Sequence, residues 1–329
     1  MSGGEVLLRV DELRVVFRTP RGPVYAFDGV SFTVAAGEVL GLVGESGSGK
    51  SVTLRALPKL LHATATVSGR VYWRGQDLLV LPDEELREVR GGQVAMVFQE
   101  PMSALNPVLP IGLQIDEVLV AHTTLDRGAR RARAIELLDQ VGIASAPTRL
   151  GQYAHEFSGG MRQRAMIAIA LAANPSLLLA DEPTTALDVT IQDQILKLLT
   201  RLAAERGMAM VLVTHDLGVI AQTCDRVAVM YAGRLCETGP VAKVFRHPRH
   251  AYTDALLRSV PGEGEARSML VPIPGQPPQI DAPVTGCAFA PRCTYVAAEC
   301  TTERPKMAAI VPGHGSACHA AARLPRRVA

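Results

Sequence analysis

One loop constrains the fold of this chain more than any other feature of the sequence. Residues 44–51 read GESGSGKS and fit the pattern G-x-x-x-x-G-K-[ST]. The loop directly follows an apolar run, Val39–Val43, and precedes apolar residues at helical spacing. A strand, this loop and a helix in that order are what a phosphate-binding loop needs. The sequence therefore predicts an α/β fold with an anion site at the end of this strand.

Each part of the phosphate loop has an expected task. The glycines let the backbone curl so that its N–H groups point inward, and the start of the following helix adds positive potential. Lys50 is expected to neutralise β- and γ-phosphate oxygens, and the Ser51 hydroxyl to ligate Mg²⁺. A flexible Gly/Ser turn is the alternative interpretation. The predicted nucleotide-binding residues of the loop are Gly44, Glu45, Ser46, Gly47, Ser48, Gly49, Lys50 and Ser51.

Further apolar runs predict the other strands of the core. They are rich in Val, Ile and Leu and nearly continuous, which is typical of strands covered on both faces. Segments 7–16 and 30–34 alternate more and indicate an antiparallel edge sheet, whereas residues 111–173 are mainly helical in pattern. The predicted buried strands are 39–43, 94–98, 177–180, 210–214 and 226–230.

A pair of carboxylates follows one of these strands. Asp181 would be delivered to the polar end of strand 177–180, where it could hold Mg²⁺ through water, and Glu182 comes one residue later. Phosphoryl transfer depends mainly on positioning and charge stabilisation, so two carboxylates complement a lysine and a metal ion. Glu182 is therefore the predicted base that polarises the attacking water.

Composition narrows the class of protein. The chain has 329 residues, enough for roughly two domains. Its formal net charge of +2 gives no support to a general nucleic-acid partner. The longest apolar run, residues 165–173, falls far short of the roughly 20 residues that span a bilayer. With no export signal visible, the six cysteines are expected to be thiols or metal ligands in a cytosolic protein.

A second glycine-rich motif carries a family resemblance. Residues 157–164, FSGGMRQR, resemble the signature loop of ATP-binding cassette (ABC) ATPases, with Met161 where the commonest form has Gln. Gln99 matches the Q-loop of that family, residues 186–188 (Ala-Leu-Asp) match the D-loop, and His215 matches the switch histidine. The resemblance extends over about residues 6–255 and implies the ABC cassette fold.

The resemblance implies roles for these residues and a head-to-tail cassette dimer. The signature residues, with Asp188 of the D-loop, would complete the nucleotide site of a second cassette chain. Gln99 would contact Mg²⁺ and signal to a partner, while His215 would contact the γ-phosphate; a core or capping histidine is the alternative. The signature residues are Ser158, Gly159 and Gly160.

The family stacks an aromatic side chain from the N-terminal sheet on the adenine base. Phe17 is the choice by position, and Tyr25 is the alternative. Either ring could instead serve only in packing.

Two segments resemble the peptide and nickel importers of the family. One is the loop GESGSGKS together with QEPMSALNP at 99–107, and the other is the cysteine-rich tail that begins GCAFAPRC at 286–293. The resemblance implies an ATP-hydrolysing subunit at the cytoplasmic face of the membrane, with two permease subunits and, indirectly, an external substrate-binding protein. A soluble ABC ATPase acting on nucleic acid or ribosomes and an exporter cassette are the competing interpretations.

The tail differs in composition from the cassette. Prolines crowd together after residue 259 and exclude regular helix or central strand there. We therefore expect a nucleotide-binding domain at 1–258, with a helical subdomain at about 105–173, and a C-terminal extension at 259–329. The prolines are at positions 261, 272, 274, 277, 278 and 283.

Four cysteines in the extension, spaced C-x5-C-x6-C-x17-C, suggest a metal staple, since few core-forming residues surround them. The short pairs of structural zinc sites are missing, and the family resemblance points to a four-iron four-sulfur cluster. Unligated thiols are the alternative, and His314 or His319 could replace one thiolate. Cys224 and Cys236 are expected in the core. The four cysteines are Cys287, Cys293, Cys300 and Cys318.

Overall fold

The computed structural model describes residues 4–185, 187–259, 272–278 and 284–324. The chain divides into two compact units that each combine several segments. The first unit comprises Met1–Glu5, Ala35–Glu38 and Val80–Leu212. The second unit comprises Val6–Val34, Val39–Leu79 and Val213–Ala329. The proposed boundary between residues 258 and 259 stays a prediction, and the prolines at 261 and 283 lie outside the described residues.

The strands are β1 (Val6–Thr19), β2 (Gly22–Ala35), β3 (Val39–Val43), β4 (Ala65–Trp73), β5 (Gln76–Asp77), β6 (Val94–Val97), β7 (Leu177–Asp181), β8 (Ala209–Val213), β9 (Arg226–Tyr231), β10 (Arg234–Pro240), β11 (Ala308–Val311) and β12 (His314–Ser316). All five strands predicted from apolar runs form, and each of their ends lies within one residue of the prediction.

The helices are α1 (Lys50–Ala56), α2 (Asp83–Val89), α3 (Pro101–Ala104), α4 (Ile111–His122), α5 (Arg127–Gln140), α6 (Ala146–Arg149), α7 (Gly159–Ala170), α8 (Val189–Arg206), α9 (Leu217–Thr223), α10 (Val241–Arg246), α11 (Ala251–Arg258) and α12 (Ala298–Thr302). Short 3₁₀ turns form at Ala154–Glu156 and Ala290–Arg292. The helical pattern predicted for residues 111–173 is confirmed by α4 to α7.

The second unit contains the antiparallel sheet, in the order β2–β1–β4–β5. Strands β1 and β4 pair from Leu8 opposite Trp73 to Phe17 opposite Ala65. Leu8 and Val10 are buried on one face of β1, whereas Arg9 between them is exposed. This alternation is typical of a sheet that covers a core on one side, and it confirms the antiparallel N-terminal sheet.

The other strands of the second unit follow the order β11–β12–β10–β9–β3. Strands β3 and β9 are parallel, with Leu40 opposite Arg226. All five residues of β3 are buried, as the near-continuous apolar run predicted. The phosphate loop thus begins at the end of a fully covered strand.

The C-terminal extension shares the core of the second unit. Phe289 and Leu324 pack in one buried cluster with Val43 of β3 and Val229 of β9. Strand β12 also pairs with β10 of the cassette. The expectation that little besides a metal could fix this tail is therefore wrong, because ordinary packing and strand pairing fix it.

The first unit combines parallel strands with most of the helices. Strands β6 and β7 are parallel, with Val94 opposite Leu177, and β7 lies between β6 and β8. Helix α8 buries an apolar stripe that includes Ile195, Leu199 and Leu202. Strand β7 ends at Asp181, the first of the two predicted site carboxylates.

Candidate active site

The phosphate loop needs its glycines at two positions. Gly44 has φ +155°, and a Cβ there would lie 2.0 Å from the Met230 carbonyl oxygen. Gly49 has φ +99°, and a Cβ would lie 2.7 Å from the Ala26 carbonyl oxygen. Only glycine combines such backbone angles with so close an approach to other backbone. The turn into α1 is therefore fixed by strands on both sides of it.

Lys50 lies inside the loop. Its ammonium group donates to the carbonyl oxygens of Gly44 at 2.9 Å and Glu45 at 3.0 Å. The side chain is buried, with 5% of its surface exposed. A buried lysine ammonium surrounded by loop carbonyls places a positive charge where a phosphate loop needs one. The residues present therefore fit a bound polyphosphate.

Two side chains that the sequence did not single out contact Glu45 of the loop. The Tyr252 hydroxyl accepts a hydrogen bond from the Glu45 amide at 2.8 Å. The Arg292 guanidinium forms an ion pair with the Glu45 carboxylate, and this contact raises the pKa of Arg292. Burial raises the pKa of Tyr252, which stays a neutral acceptor. No local motif announces either contact, because both residues are far from the loop in sequence.

The predicted base and the Q-loop residue come together in the first unit. Gln99 donates from Nε2 to Glu182 Oε2 at 3.2 Å. The Thr185 hydroxyl donates to the same oxygen at 2.7 Å. Asp181, the last residue of β7, is fully buried. Sequence reasoning missed Thr185, although its place three residues after Glu182 allows a hydrogen bond within one turn.

The backbone at Glu182 adopts an uncommon conformation. Its φ is +45°, in the left-handed region that residues other than glycine rarely occupy. Such strain persists where the surrounding structure holds it, and it clusters at functional sites. The outlier supports the hypothesis that the direction of this carboxylate matters.

The signature and D-loop residues are neighbours in the first unit. Ser158 caps α7, and its hydroxyl accepts from the Met161 amide at 3.3 Å. A Cβ on Gly159 would lie 3.9 Å from a Leu187 methyl group. Asp188 caps α8 by accepting from the Ile191 amide at 2.9 Å. Ala186 of the predicted D-loop lies outside the described residues.

His215 lies in the second unit between β8 and α9. Its side chain is exposed, so it is not a core histidine. The cap of α9 is Asp216, which accepts from the Gly218 amide at 2.7 Å. The capping of α9 is therefore done by Asp216, and the contact of His215 with a γ-phosphate stays a prediction.

Both candidates for adenine stacking lie on the antiparallel sheet of the second unit. Phe17 on β1 and Tyr25 on β2 are each half-buried. Neither ring is fully buried, so burial does not decide which of them stacks on adenine.

Cys287 lies close enough to Cys293, Cys300 and Cys318 to interact with each of them electrostatically. Within the described residues, no group of three or more His, Cys, Asp or Glu side chains could hold a metal ion. Burial raises the pKa of Cys287 to about 11. Cys236 is buried in the core, as expected, and Cys224 packs against it.

Two family models match the chain. The ABC transporter model matches residues 27–185, which include the phosphate loop and Glu182. The model of the oligopeptide/dipeptide transporter C-terminal region matches residues 236–300, which include Arg292. The two matches follow the order of the cassette and its extension along the chain.

Curated relatives extend this similarity to nearly the whole chain. A Brucella melitensis biotype 1 protein named as a peptide import ATP-binding protein is 50% identical over 325 residues, covering 95% of this chain and 96% of that protein. A Sinorhizobium fredii protein named as a peptide ABC transporter ATP-binding protein is 49% identical over 319 residues, covering 95% of each.

Solved structures agree with the cassette fold. The dimeric ATP-binding cassette MJ0796, in a post-hydrolysis state with ADP and Pi, matches at 30% identity and a TM-score of 0.64. The match covers 71% of this chain and 98% of that cassette. Among the residues that our structure describes, no helix combines the length and the apolarity needed to cross a membrane.

The fold and the phosphate loop define a P-loop ATPase of the cassette type. The chain belongs to the ATP-binding subunits of ABC transporters, in the oligopeptide/dipeptide transporter group. It is therefore an ATPase whose nucleotide is ATP.

Proposed function

We propose that this chain hydrolyses ATP to power the uptake of dipeptides or oligopeptides through a membrane importer. The observation that carries the peptide assignment is the match of residues 236–300 to the peptide-transporter C-terminal region, which relatives named for peptide import support. Nickel is the second candidate cargo, because the sequence resemblance includes nickel importers. A soluble ATPase acting on nucleic acid or ribosomes is not favoured by these relatives.

The site residues divide the chemistry of hydrolysis among them. Lys50 and the loop amides bind the phosphates, and Glu182 holds and polarises the attacking water while Gln99 and Thr185 fix its carboxylate. Ser51, Asp181 and Gln99 would hold Mg²⁺, whose preference for oxygen ligands they suit and which would neutralise phosphate charge. His215 would contact the γ-phosphate, and Phe17 or Tyr25 would stack on adenine.

An exposed apolar surface in the first unit supports docking to the permeases. Val108 is 75% exposed, Met102 on α3 is 49% exposed, and Leu113 on α4 is 44% exposed. A backbone bridge between Pro110 and Tyr153 brings a further aromatic ring to this segment. Clustered apolar side chains on a surface mark interaction sites. This surface would bind the permeases, and the family resemblance implies two of them and a peripheral place at the cytoplasmic face of the membrane.

The nucleotide site would be completed by a second cassette chain, identical or related. The exposed signature residues Ser158 and Gly159 begin α7, where backbone N–H groups can bind an anion. The solved relative MJ0796 is a dimer, which supports this arrangement for the present chain.

Transport in reconstituted vesicles tests the proposal. The chain is co-expressed with the permeases and the binding protein of a peptide importer, and uptake of a labelled dipeptide is compared with uptake of labelled nickel. We expect ATP-dependent dipeptide uptake that Lys50→Ala abolishes, and loss of membrane co-sedimentation in Val108→Asp. Val80→Asp is the control, since Val80 is 77% exposed outside the apolar surface. Uptake of nickel alone would overturn the peptide assignment.

The four-iron four-sulfur cluster is a separate hypothesis, which rests on cysteine spacing and family resemblance. Anaerobic purification tests it: a cluster predicts brown protein with about four irons per chain, lost when Cys293 and Cys300 become Ser. Colourless protein with one zinc would eliminate the cluster but keep a metal staple. Protein without metal would eliminate both.

A further inference from the structure

A buried ion pair joins the C-terminal extension to the phosphate loop. The Arg292 guanidinium approaches both carboxylate oxygens of Glu45, with Nη1–Oε2 at 2.7 Å and Nη2–Oε1 at 3.0 Å. The Arg292 side chain is 6% exposed and that of Glu45 is 24% exposed. Two parallel charge-assisted hydrogen bonds give direction as well as strength. The pair therefore fixes the orientation of Glu45 and not only its charge.

The arginine is itself held in place by the second unit. Its Nε donates to the Pro274 carbonyl oxygen at 2.7 Å, and its Nη1 donates to the Tyr231 hydroxyl at 3.1 Å. The guanidinium carbon lies 5.8 Å from the centre of the Tyr231 ring and 6.0 Å from that of Phe289. Rotation of the side chain would break several contacts at once. Arg292 is thus a fixed point against which the loop is held.

Glu45 connects Arg292 to Lys50, the phosphate-binding lysine. Its carboxylate is bound by Arg292, and its amide donates to the Tyr252 hydroxyl at 2.8 Å. Its carbonyl oxygen accepts from the Lys50 ammonium at 3.0 Å. The side chain, the amide and the carbonyl of one loop residue are therefore each occupied. A change at Arg292 would reach Lys50 through a single intervening residue.

We infer that Arg292 is a positioning residue, through which the C-terminal extension sets the geometry of the phosphate loop and hence the affinity for ATP. The inference rests on the proposed role of the loop in binding ATP. It assigns the extension a task in the ATPase cycle, beyond packing against the cassette. Arg292 touches no reacting atom, so its effect appears in nucleotide affinity and not in the chemical step.

The competing explanation is that Arg292 only anchors the extension to the second unit. Arg304 provides a matched control for this explanation. Arg304 also lies in the extension, and it bonds Asp28 of β2 at 3.0 Å through Nη1 and at 2.9 Å to the carbonyl through Nη2. This second arginine anchors the tail to the same unit without touching the phosphate loop. If anchoring alone mattered, loss of either arginine would have the same effect.

The test measures the Kd of a fluorescent ATP analogue with Mg²⁺ for the full-length chain. Arg292→Gln and Glu45→Gln should each raise the Kd about tenfold or more, and the double variant should be no weaker than the worse single one, because the two residues act as a pair. Arg292→Lys should have a Kd between those of wild type and Arg292→Gln, since lysine keeps the charge but cannot form two parallel hydrogen bonds to the carboxylate. Arg304→Gln should stay within about twofold of wild type.

Two further measurements keep the outcome decisive. Thermal unfolding identifies any variant that fails to fold; if Arg292→Gln does so, the same test is read from Glu45→Gln and Arg292→Lys. Wild-type affinity in folded Arg292→Gln and Glu45→Gln, or equal weakening by Arg304→Gln, would overturn the inference. If Lys50→Ala also binds ATP normally, the proposed phosphate site fails instead, which separates the two failures.

Discussion

Glu182 and Glu45 are held by different kinds of hydrogen-bond partner. Glu182 in the first unit receives two neutral donors on one oxygen, from Gln99 and Thr185. Glu45 in the second unit receives a cation on both oxygens, from Arg292. The first arrangement orients a carboxylate through hydrogen bonds from an amide and a hydroxyl, whereas the second pairs both carboxylate oxygens with a guanidinium in a largely buried contact.

The difference indicates different tasks. A general base must be oriented toward the attacking water, and hydrogen bonds from Gln99 and Thr185 can orient the Glu182 carboxylate. A carboxylate in a bidentate pair with arginine is a poor base but a good anchor. We therefore interpret Glu182 as the residue that acts in hydrolysis and Glu45 as a residue that shapes the loop.

The largest expected effect on the ATPase rate comes from separating the phosphate loop of one chain from the signature loop of a second chain. Lys50→Ala removes the phosphate-loop cation, and Gly159→Asp places a negative charge in the signature loop. Each variant alone should lose at least ~10² in ATPase rate. If the chain pairs with a second copy of itself, mixing the variants should recover about a quarter of wild-type activity, because half the dimers are mixed and each has one intact site of two.

Steady-state phosphate release from the mixed chains measures this recovery. The inactive single variants, each assayed at the same total concentration, are the control. Full activity of an isolated monomer, independent of protein concentration, would contradict the composite site.

The stability of the fold around Glu45 should decrease at acidic pH because of His250. His250 accepts from the Tyr252 amide at 3.0 Å through Nδ1, and burial lowers its pKa to about 4. In the unfolded chain its pKa is about 6.5, so between these values only the unfolded state binds the proton. The free energy of unfolding should therefore fall by roughly 3 kcal/mol as the pH drops from 6.5 to 4.

Urea unfolding across this pH range, compared between wild type and His250→Asn, measures the contribution of this residue. Asparagine keeps an acceptor for the Tyr252 amide but does not titrate there. A pH dependence of equal slope in both proteins would contradict the assignment.

The smallest expected effect follows from removing one hydrogen bond to the Glu182 carboxylate. Thr185→Val removes one hydrogen bond to the carboxylate and keeps the shape of the side chain. Turnover should fall about tenfold to a hundredfold, while the Kd for ATP stays unchanged, because a hydrogen bond to a charged group contributes about 1.5–3 kcal/mol. Thr200→Val is the control, since that hydroxyl donates to the Leu196 carbonyl within α8. Weakened ATP binding in Thr185→Val would place this threonine in nucleotide binding instead.

Sequence alone was sufficient where the signal is local. The phosphate loop, the strand before it and the Asp181–Glu182 pair follow from short patterns, and the five apolar runs predicted their strands because covered strands are nearly continuous in hydrophobicity. The meeting of Gln99 with Glu182 could be anticipated only through the family resemblance, since 83 positions separate them.

The extension was less predictable, for a physical reason. Its fixed position depends on contacts between distant residues, such as Arg292 with Glu45, which are 247 positions apart. Proline-rich composition indicates irregular structure but not what that structure packs against. The buried places of Phe289 and Leu324 and the pairing of β12 therefore emerged only from the fold.

ATP affinity and turnover at saturating ATP, measured in the assembled transporter, distinguish Glu182→Gln from Glu45→Gln. Glu182→Gln should bind ATP within about twofold of wild type and lose ~10²–10⁴ in turnover, the usual contribution of a positioned general base. Glu45→Gln should show the opposite division, with weaker binding and turnover nearly unchanged. Wild-type turnover in Glu182→Gln would contradict the central claim that this carboxylate acts in hydrolysis.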